Sequence, residues 1–219
     1  MIELLLPPGV RSAEAFDDSA PAPLFEAEEI AVSRAVDGRR REFATARACA
    51  RRALGQMGVP PVAIPRGERG APVWPEGVVG SLTHCAGYRA AAVAPADRFV
   101  AIGVDAEPDL PLPDGVAGLV VSADERDDLA DLGRRDPAVC WDRLLFCAKE
   151  AVYKAWVPLT GRWLGFLEAQ IRIGVDGTFD ARLLVTGPTV DGRPVTGFAG
   201  RWSASGGILL VAIAPARRR

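Results

Sequence analysis

The stretch Leu144-Leu145-Phe146-Cys147-Ala148-Lys149-Glu150-Ala151-Val152-Tyr153-Lys154-Ala155-Trp156 decides how the rest of the chain is interpreted. At 3.6 residues per turn it predicts a helix with one apolar stripe, made of Leu145, Ala148, Val152 and Ala155. Glu150 and Lys154 lie one turn apart on the other side, among aromatic side chains. Charges in such a half-apolar environment suit proton transfer or metal binding. A surface ion pair worth about 0.2–0.5 kcal/mol explains the same spacing, and the helix alone leaves both interpretations open.

Two carboxylates end a predicted strand upstream of this helix, at residues 99–108. The two-residue period of a strand puts Asp105 and Glu107 on one face, where Pro108 stops the pairing. Like charges held this close repel one another unless a cation lies between them, and oxygen ligands favour a hard ion such as magnesium. An acidic strand end in water is the alternative.

A cluster of arginines marks a second predicted helix, which runs from Arg39 to Leu54. Arg40, Arg47 and Arg51 fall on one flank of this helix at i, i+7 and i+11. The formal net charge of −2 excludes a generally basic nucleic-acid binder. The flank is therefore either a solvated basic face or a site for a more specific anion than a nucleic-acid duplex.

Apolar residues alternate with small or polar residues over residues 78–84, and residues 89–94 provide a return strand across Ala86-Gly87. This pattern predicts a β-hairpin. Successive strand side chains point to opposite faces, so His84 and Cys85 do not form a thiol and imidazole dyad. A lone histidine is most often a structural residue. Next to the arginine cluster, Thr83 and His84 become candidate donors to an anion.

Composition places the chain among globular proteins, because its 219 residues are 49% hydrophobic and 25% charged. The apolar run near the N-terminus lacks the basic start and the length of a signal peptide, and no stretch is long enough to span a membrane. Four cysteines without CxxC spacing and a single histidine support neither a zinc site nor a disulfide framework. We therefore expect a cytoplasmic protein.

Other segments give a coarser outline. Residues 11–24 suit a surface segment that precedes any regular element, and a helix is expected over residues 25–38. Ser122 begins a further helix with a capping pattern. Short strands are expected at residues 171–175, 179–186, 197–203 and 208–214.

A faint internal repeat relates the two predicted charged helices. Residues 43–51 align without gaps on residues 146–154, which puts Arg47 opposite Glu150 and Arg51 opposite Lys154. Two similar halves would then use the same helix face for an anion in one half and for metal and proton chemistry in the other.

Three motifs in order resemble the signature regions of the larger, Sfp-like phosphopantetheinyl transferases, and especially the actinobacterial enzymes. They are Gly80-Ser81-Leu82-Thr83-His84-Cys85, Ile102-Gly103-Val104-Asp105-Ala106-Glu107 and the run from Phe146 to Ala155. The resemblance implies a monomeric α+β fold of two pseudo-symmetric halves, residues 1–103 and 104–219, with the active site in the cleft between them. It implies transfer of the 4'-phosphopantetheine arm of coenzyme A to a serine of an apo acyl or peptidyl carrier protein, which leaves adenosine 3',5'-bisphosphate. Such carrier proteins serve fatty acid, polyketide or nonribosomal peptide synthesis.

The resemblance also implies roles for individual residues. Asp105, Glu107 and Glu150 match the acids that bind magnesium, with manganese as a possible substitute, and Glu150 and Lys154 match catalytic residues. The implied coenzyme A contacts are Arg39, Arg40, Arg47, Arg66, Thr83, His84, Lys149 and Lys154. The alignment to the family can shift by one residue among Arg39, Arg40 and Arg41, so any of them fits the first phosphate-binding position. Arg69 can likewise take the place of Arg66.

Two other classes of protein remain compatible with the same residues. One is a magnesium-dependent phosphohydrolase or nucleotidyltransferase, and the other is a non-catalytic coenzyme A binding module. The short, trimeric holo-synthase type is disfavoured because 219 residues already contain two halves. Neither a nucleic acid nor a membrane is expected as a partner.

Overall fold

A computed structural model describes residues 1–20 and 22–217 of the protein. The helices are α1 (Glu26–Ala31), α2 (Asp37–Gly55), α3 (Ala117–Val120), α4 (Ala123–Arg135) and α5 (Trp141–Thr160). The strands are β1 (Arg11–Ala15), β2 (Val78–Cys85), β3 (Tyr88–Pro95), β4 (Gly103–Pro108), β5 (Ala169–Ile173), β6 (Thr178–Leu183), β7 (Thr189–Val190), β8 (Arg193–Pro194), β9 (Gly197–Ser205) and β10 (Ile208–Ile213). Among the described residues, no helix combines the length and apolar character needed to cross a membrane.

The N-terminal half is a three-stranded antiparallel sheet in the order β1-β3-β2, covered by helix α2. Small and aliphatic side chains make this contact, and all are fully buried: Ala50, Ala53, Leu54, Ala91 and Val93. Because alanine fills most of the contact, the helix lies close to the sheet and holds its arginine-bearing flank beside β2.

The C-terminal half is a five-stranded antiparallel sheet in the order β4-β10-β9-β6-β5, with α5 packed on one face. The stripe predicted for this helix is confirmed, since Leu145, Ala148, Val152 and Ala155 are at most 1% exposed. The stripe rotates the opposite side of α5, which carries Glu150 and Lys154, toward the N-terminal half.

The two halves are joined where β2 runs beside the free edge of β4. The hydroxyl of Ser81 accepts a hydrogen bond from the backbone N–H of Val104 at 3.1 Å, and the hydroxyl of Thr83 accepts one from Ala106 at 2.9 Å. The contacts advance in the same direction along both strands, so β2 and β4 are parallel to each other. Side-chain oxygens thus satisfy edge amides that would otherwise be buried without a partner.

A shared apolar core continues beneath this junction. Ile2 of the N-terminal 3-10 helix joins buried side chains from both sheets: Ala90, Ala92, Val104 and Leu210. The predicted α+β class is confirmed, and each half is one long helix on an antiparallel sheet. A boundary at residues 103 and 104 stays a prediction.

Three sequence-based boundaries were wrong. Residues 11–24 contain strand β1, which pairs with β3 from Arg11↔Val93 to Ala15↔Arg89. Its stability comes from backbone pairing and not from apolar alternation, so the sequence pattern gave no sign of it. The helix expected over residues 25–38 is interrupted, because α1 ends at Ala31 and α2 begins at Asp37. The strand expected from Phe99 begins at Gly103.

Gly103 permits the close packing of α5 on β4. A Cβ at this position would lie 2.0 Å from the carbonyl oxygen of Ala151, which is backbone and cannot move aside. We expect Gly103→Ala to lower the free energy of unfolding by at least ~2 kcal/mol through overpacking. Gly133→Ala, in a helix position with open space around it, is the control and should raise the free energy of unfolding by up to ~1 kcal/mol. Urea unfolding measures both, and equal stability of the two variants would contradict this role for Gly103.

Candidate active site

A pocket of about 240 Å³ lies between α2 and β2 of the N-terminal half and α5 of the C-terminal half. It brings together most of the charged residues that the sequence singled out. The titratable residues in its lining are Arg39, Glu42, Arg47, Arg66, Arg69, His84, Glu150, Tyr153 and Lys154. Residues distant in sequence thus meet in the cleft between the halves.

The basic wall of this pocket consists of Arg39, Arg47 and Arg66. Arg47 is its anchor, because the side chain is 6% exposed, its Nε donates to the carbonyl of Ile64 at 2.7 Å and its guanidinium stacks on the ring of Phe43. Burial lowers the pKa of Arg47 to about 10, and the neighbouring arginines add to this effect. Arg47 therefore stays cationic at neutral pH while being poorly hydrated, which suits phosphate binding.

His84 lies at the mouth of the pocket in contact with Arg39. Partial desolvation of its ring, with the charges of Arg39 and Lys154, lowers the pKa of His84 to about 4. The imidazole is consequently neutral at pH 7 and acts through hydrogen bonding. Arg39 is held from the other side by Glu42 at 3.2 Å.

The structure shows which of the alternative arginines line the pocket. Arg39 lines the pocket, whereas Arg40 pairs with Glu29 on the outer side of α2. Arg66 and Arg69 both line the pocket, and the Nε of Arg69 donates to the carbonyl of Gly161 at 2.9 Å, across the cleft.

The acidic corner of the site consists of Asp105, Glu107 and Glu150. The Oδ1 of Asp105 accepts hydrogen bonds from the Nζ of Lys154 at 2.6 Å and from the hydroxyl of Thr83 at 3.1 Å. The Oδ2 of the same carboxylate is buried without a hydrogen-bond partner of ordinary geometry. The buried thiol of Cys147 is a neighbour of this carboxylate, since burial and then Asp105 raise the pKa of that thiol. A buried carboxylate oxygen without a partner is costly, so this atom indicates a place for a donor or a cation.

Electrostatic coupling links the three acids. Burial raises the pKa of Glu150, and the charges of Asp105 and Glu107 raise it further against the opposing effect of Lys154. Burial and the charge of Asp105 likewise raise the pKa of Glu107. The Nη1 of Arg143 lies 3.0 Å from Glu107 and counteracts this shift.

These acids fit the chemistry of a hard cation, since all their donors are carboxylate oxygens and one is buried without a partner. No group of three or more His, Cys, Asp or Glu side chains within residues 1–20 and 22–217 is arranged to hold a metal ion. In the structure, Lys154 pairs with Asp105 and Arg143 pairs with Glu107. Magnesium therefore remains a proposal.

Three residues expected to contact coenzyme A are engaged elsewhere. Lys149 is 3% exposed, and its ammonium donates to Glu125 and to two backbone carbonyls, each at 2.8 Å. Thr83 is 1% exposed and bonds to Asp105, and Arg40 faces outward. Lys149 and Thr83 thus make internal contacts although they lie within the motifs, which sequence spacing does not reveal. Contact of the three residues with coenzyme A stays a prediction.

Two charged residues in and around the site were missed from the sequence. Glu42 lies one helical turn after Arg39 and accepts hydrogen bonds from Arg39 and from the buried Arg89. Arg143 lies on the same side of α5 as Glu150, at i and i+7. Helical spacing from the predicted residues could have suggested both.

Family models match both halves of the chain. Residues 26–94 match the 4'-phosphopantetheinyl transferase N-terminal domain, and residues 101–204 match the 4'-phosphopantetheinyl transferase superfamily. The chain belongs to the 4'-phosphopantetheinyl transferase family. It is a transferase that moves the phosphopantetheine arm of coenzyme A to carrier proteins.

Curated relatives match over nearly the full chain. The 4'-phosphopantetheinyl transferase Svp of Streptomyces mobaraensis is 54% identical, over 99% of this chain and 89% of the relative. The transferase Npt of Nocardia iowensis is 53% identical, over 98% of this chain and 99% of the relative. The transferase PptT of Mycobacterium tuberculosis is 48% identical, over 93% of this chain and 95% of the relative. The resemblance drawn from the three motifs is thereby confirmed.

The environment of His84 is directly measurable because it is the only histidine in the chain. We expect an NMR titration to give a pKa near 4, and we expect Arg39→Ala to raise that pKa because a nearby positive charge is removed. The exposed Arg41 is the matched control, and Arg41→Ala should leave the titration unchanged. A histidine that titrates near 6.5 in the unmodified protein would contradict the described contact.

Proposed function

We propose that the chain modifies a serine of apo acyl and peptidyl carrier proteins, and that magnesium held by Asp105, Glu107 and Glu150 assists the reaction. The observation that carries this proposal is one pocket lined by the basic wall, Glu150 and Lys154. Lys154 connects this pocket to Asp105, whose Oδ2 is buried. Coenzyme A needs both features, one to bind the 3'-phosphate on its ribose and one to neutralise the reacting phosphate of its pyrophosphate.

The basic wall suits the 3'-phosphate end of coenzyme A. Arg47 is fixed by its bond to the carbonyl of Ile64, so its remaining N–H groups are oriented before the ligand arrives. Neutral His84 adds a hydrogen-bond donor without adding charge. This combination supports Arg39, Arg47, Arg66 and His84 as coenzyme A contacts.

Glu150 suits the role of general base. In the proposed step the serine hydroxyl oxygen of the carrier bonds to the pantetheine-side phosphorus, and the serine proton passes to the Glu150 carboxylate. The bond from that phosphorus to the bridging oxygen breaks, and adenosine 3',5'-bisphosphate leaves with the electron pair. The raised pKa of Glu150 makes it a stronger base than an exposed carboxylate. Bound magnesium would supply neutralisation of the phosphate oxygens.

Lys154 suits charge neutralisation at the reacting phosphate. Its ammonium has three N–H donors, of which two bond to Asp105 and to the carbonyl of Val104. The third is available to a phosphate oxygen or to the leaving group. The same contacts hold Lys154 in place at the acidic corner.

The loop after α5 suits the carrier protein. Trp163 is 64% exposed, and its ring packs edge-on against Tyr153 of α5 at 5.1 Å between centroids. An exposed aromatic side chain next to Glu150 offers an apolar contact for the helix that carries the reacting serine. We also propose a cytoplasmic monomer, and all four cysteines are free thiols, as a reducing compartment requires.

The test of this function is incubation of the protein with coenzyme A, magnesium and a panel of purified apo carrier proteins, read by intact mass. We expect at least one carrier to gain one phosphopantetheine group. Hydrolysis of coenzyme A without any mass gain would instead favour a phosphohydrolase, and binding without either product would favour a binding module.

Two variants on α5 separate the proposed base from the proposed cation. Glu150→Gln keeps the size of the side chain but removes its charge and basicity, so single-turnover transfer should fall by at least ~10²-fold. Lys154→Met should also slow transfer, but it should change the affinity for magnesium less than Glu150→Gln does, because an ammonium is not a ligand of the cation.

The surface ion-pair interpretation is disfavoured by the structure, in which Lys154 pairs with Asp105. It makes the opposite forecast for the same two variants. Each would then lose at most ~1 kcal/mol of stability and keep its rate. Single-turnover transfer and magnesium calorimetry decide between the two interpretations. Near-normal transfer by Glu150→Gln would contradict the mechanism.

A further inference from the structure

The hydroxyl of Thr83 makes two hydrogen bonds that join the two halves and the acidic corner. It accepts from the backbone N–H of Ala106 at 2.9 Å and donates to the Oδ1 of Asp105 at 3.1 Å. A hydroxyl carries a single hydrogen, and here that hydrogen is committed to the carboxylate. The side chain is 1% exposed, so no phosphate reaches it without displacing these bonds.

The two donors to Asp105 act on the same oxygen. Thr83 and the Nζ of Lys154 both bond to Oδ1, which fixes the rotation of the carboxylate, and Oδ2 remains buried without a partner. A carboxylate held at one oxygen presents the other in a single orientation. Donors behind a metal-binding group commonly set its orientation and its affinity in this way.

We propose that Thr83 is a positioning residue for Asp105, which it holds so that Oδ2 can bind a divalent cation. This inference rests on the proposed function, because it assigns the cation to the acidic corner. It differs from the role that the sequence resemblance implied for Thr83, in which the hydroxyl contacts coenzyme A. The two roles make different forecasts for metal and for ligand binding.

Ser81 provides a matched control within the same strand. Its hydroxyl accepts from the backbone N–H of Val104 at 3.1 Å, just as Thr83 accepts from Ala106. Both side chains are nearly fully buried, and both satisfy an edge amide of β4. In the described part of the chain, only the Thr83 hydroxyl bonds to Asp105 as well. Removal of either hydroxyl therefore costs an amide contact. Removal of the Thr83 hydroxyl also takes away one of the two donors that hold Oδ1 of Asp105.

The experiment compares Thr83→Val, Thr83→Ser and Ser81→Ala with the unmodified protein. Magnesium affinity is measured by calorimetry and manganese affinity by electron paramagnetic resonance, and unfolding temperature is measured in parallel. We expect Thr83→Val to weaken both cations by ~10-fold or more, the usual cost of losing a supporting contact behind a metal ligand. Thr83→Ser should restore the affinity, and Ser81→Ala should keep it while losing a similar amount of thermal stability.

Coenzyme A and dephospho-coenzyme A binding without metal complete the test. We expect Thr83→Val to bind both ligands as the unmodified protein does. A loss specific to coenzyme A would overturn the inference, because it would assign the hydroxyl to the 3'-phosphate. Cation affinities equal to those of Ser81→Ala would also overturn it. Thr83→Ala carries the same forecasts if Thr83→Val does not fold. The proposed function is tested separately by transfer in Glu150→Gln. Loss of transfer in that variant would support the proposed function whether or not the inference about Thr83 holds.

Discussion

The junction between β2 and β4 is the contact on which the rest of the structure depends. Each half has its own helix and sheet, and the halves meet beside the cleft where Ser81 and Thr83 satisfy the free amides of β4 with side-chain oxygens. Backbone pairing at this edge would have produced one continuous sheet, whereas hydroxyl contacts let two separately twisted sheets meet. Through Thr83 the same junction reaches Asp105, so the geometry of the halves and the geometry of the acidic corner are set together.

A buried ion pair away from the cleft stabilises each half. Glu28 and Glu125 are almost completely buried, and each lies in the first turn of a short helix, where it accepts a hydrogen bond from the backbone N–H three residues earlier. Each also binds a cation of the long helix, with Arg51 on Glu28 and Lys149 on Glu125. Buried pairs of this kind are costly to break, because removing one partner leaves an uncompensated charge. The halves therefore resemble each other in these internal contacts as well as in their helix-on-sheet architecture.

Features that arise from local periodicity were predictable from the sequence, whereas features that arise from tertiary contacts were not. The apolar stripe of α5 and the capping pattern of Ser122 with Glu125 are local, so both were found correctly. Strand β1 depends on pairing with a strand more than 70 residues away, and no local pattern indicates it. The same limit applies to the site. Charged side chains that line the pocket were identified by motif, but the inward turn of Thr83 toward Asp105 depends on how the two halves meet.

We propose that one cleft holds the 3'-phosphate of coenzyme A on the N-terminal half and the reacting phosphate on the C-terminal half. A crystal structure with coenzyme A and magnesium tests this arrangement. We expect the 3'-phosphate on the basic wall, with Arg47 still bonded to the carbonyl of Ile64, and a cation on the Oδ2 of Asp105. A 3'-phosphate bound outside this pocket, or a cation that contacts none of the three acids, would contradict it.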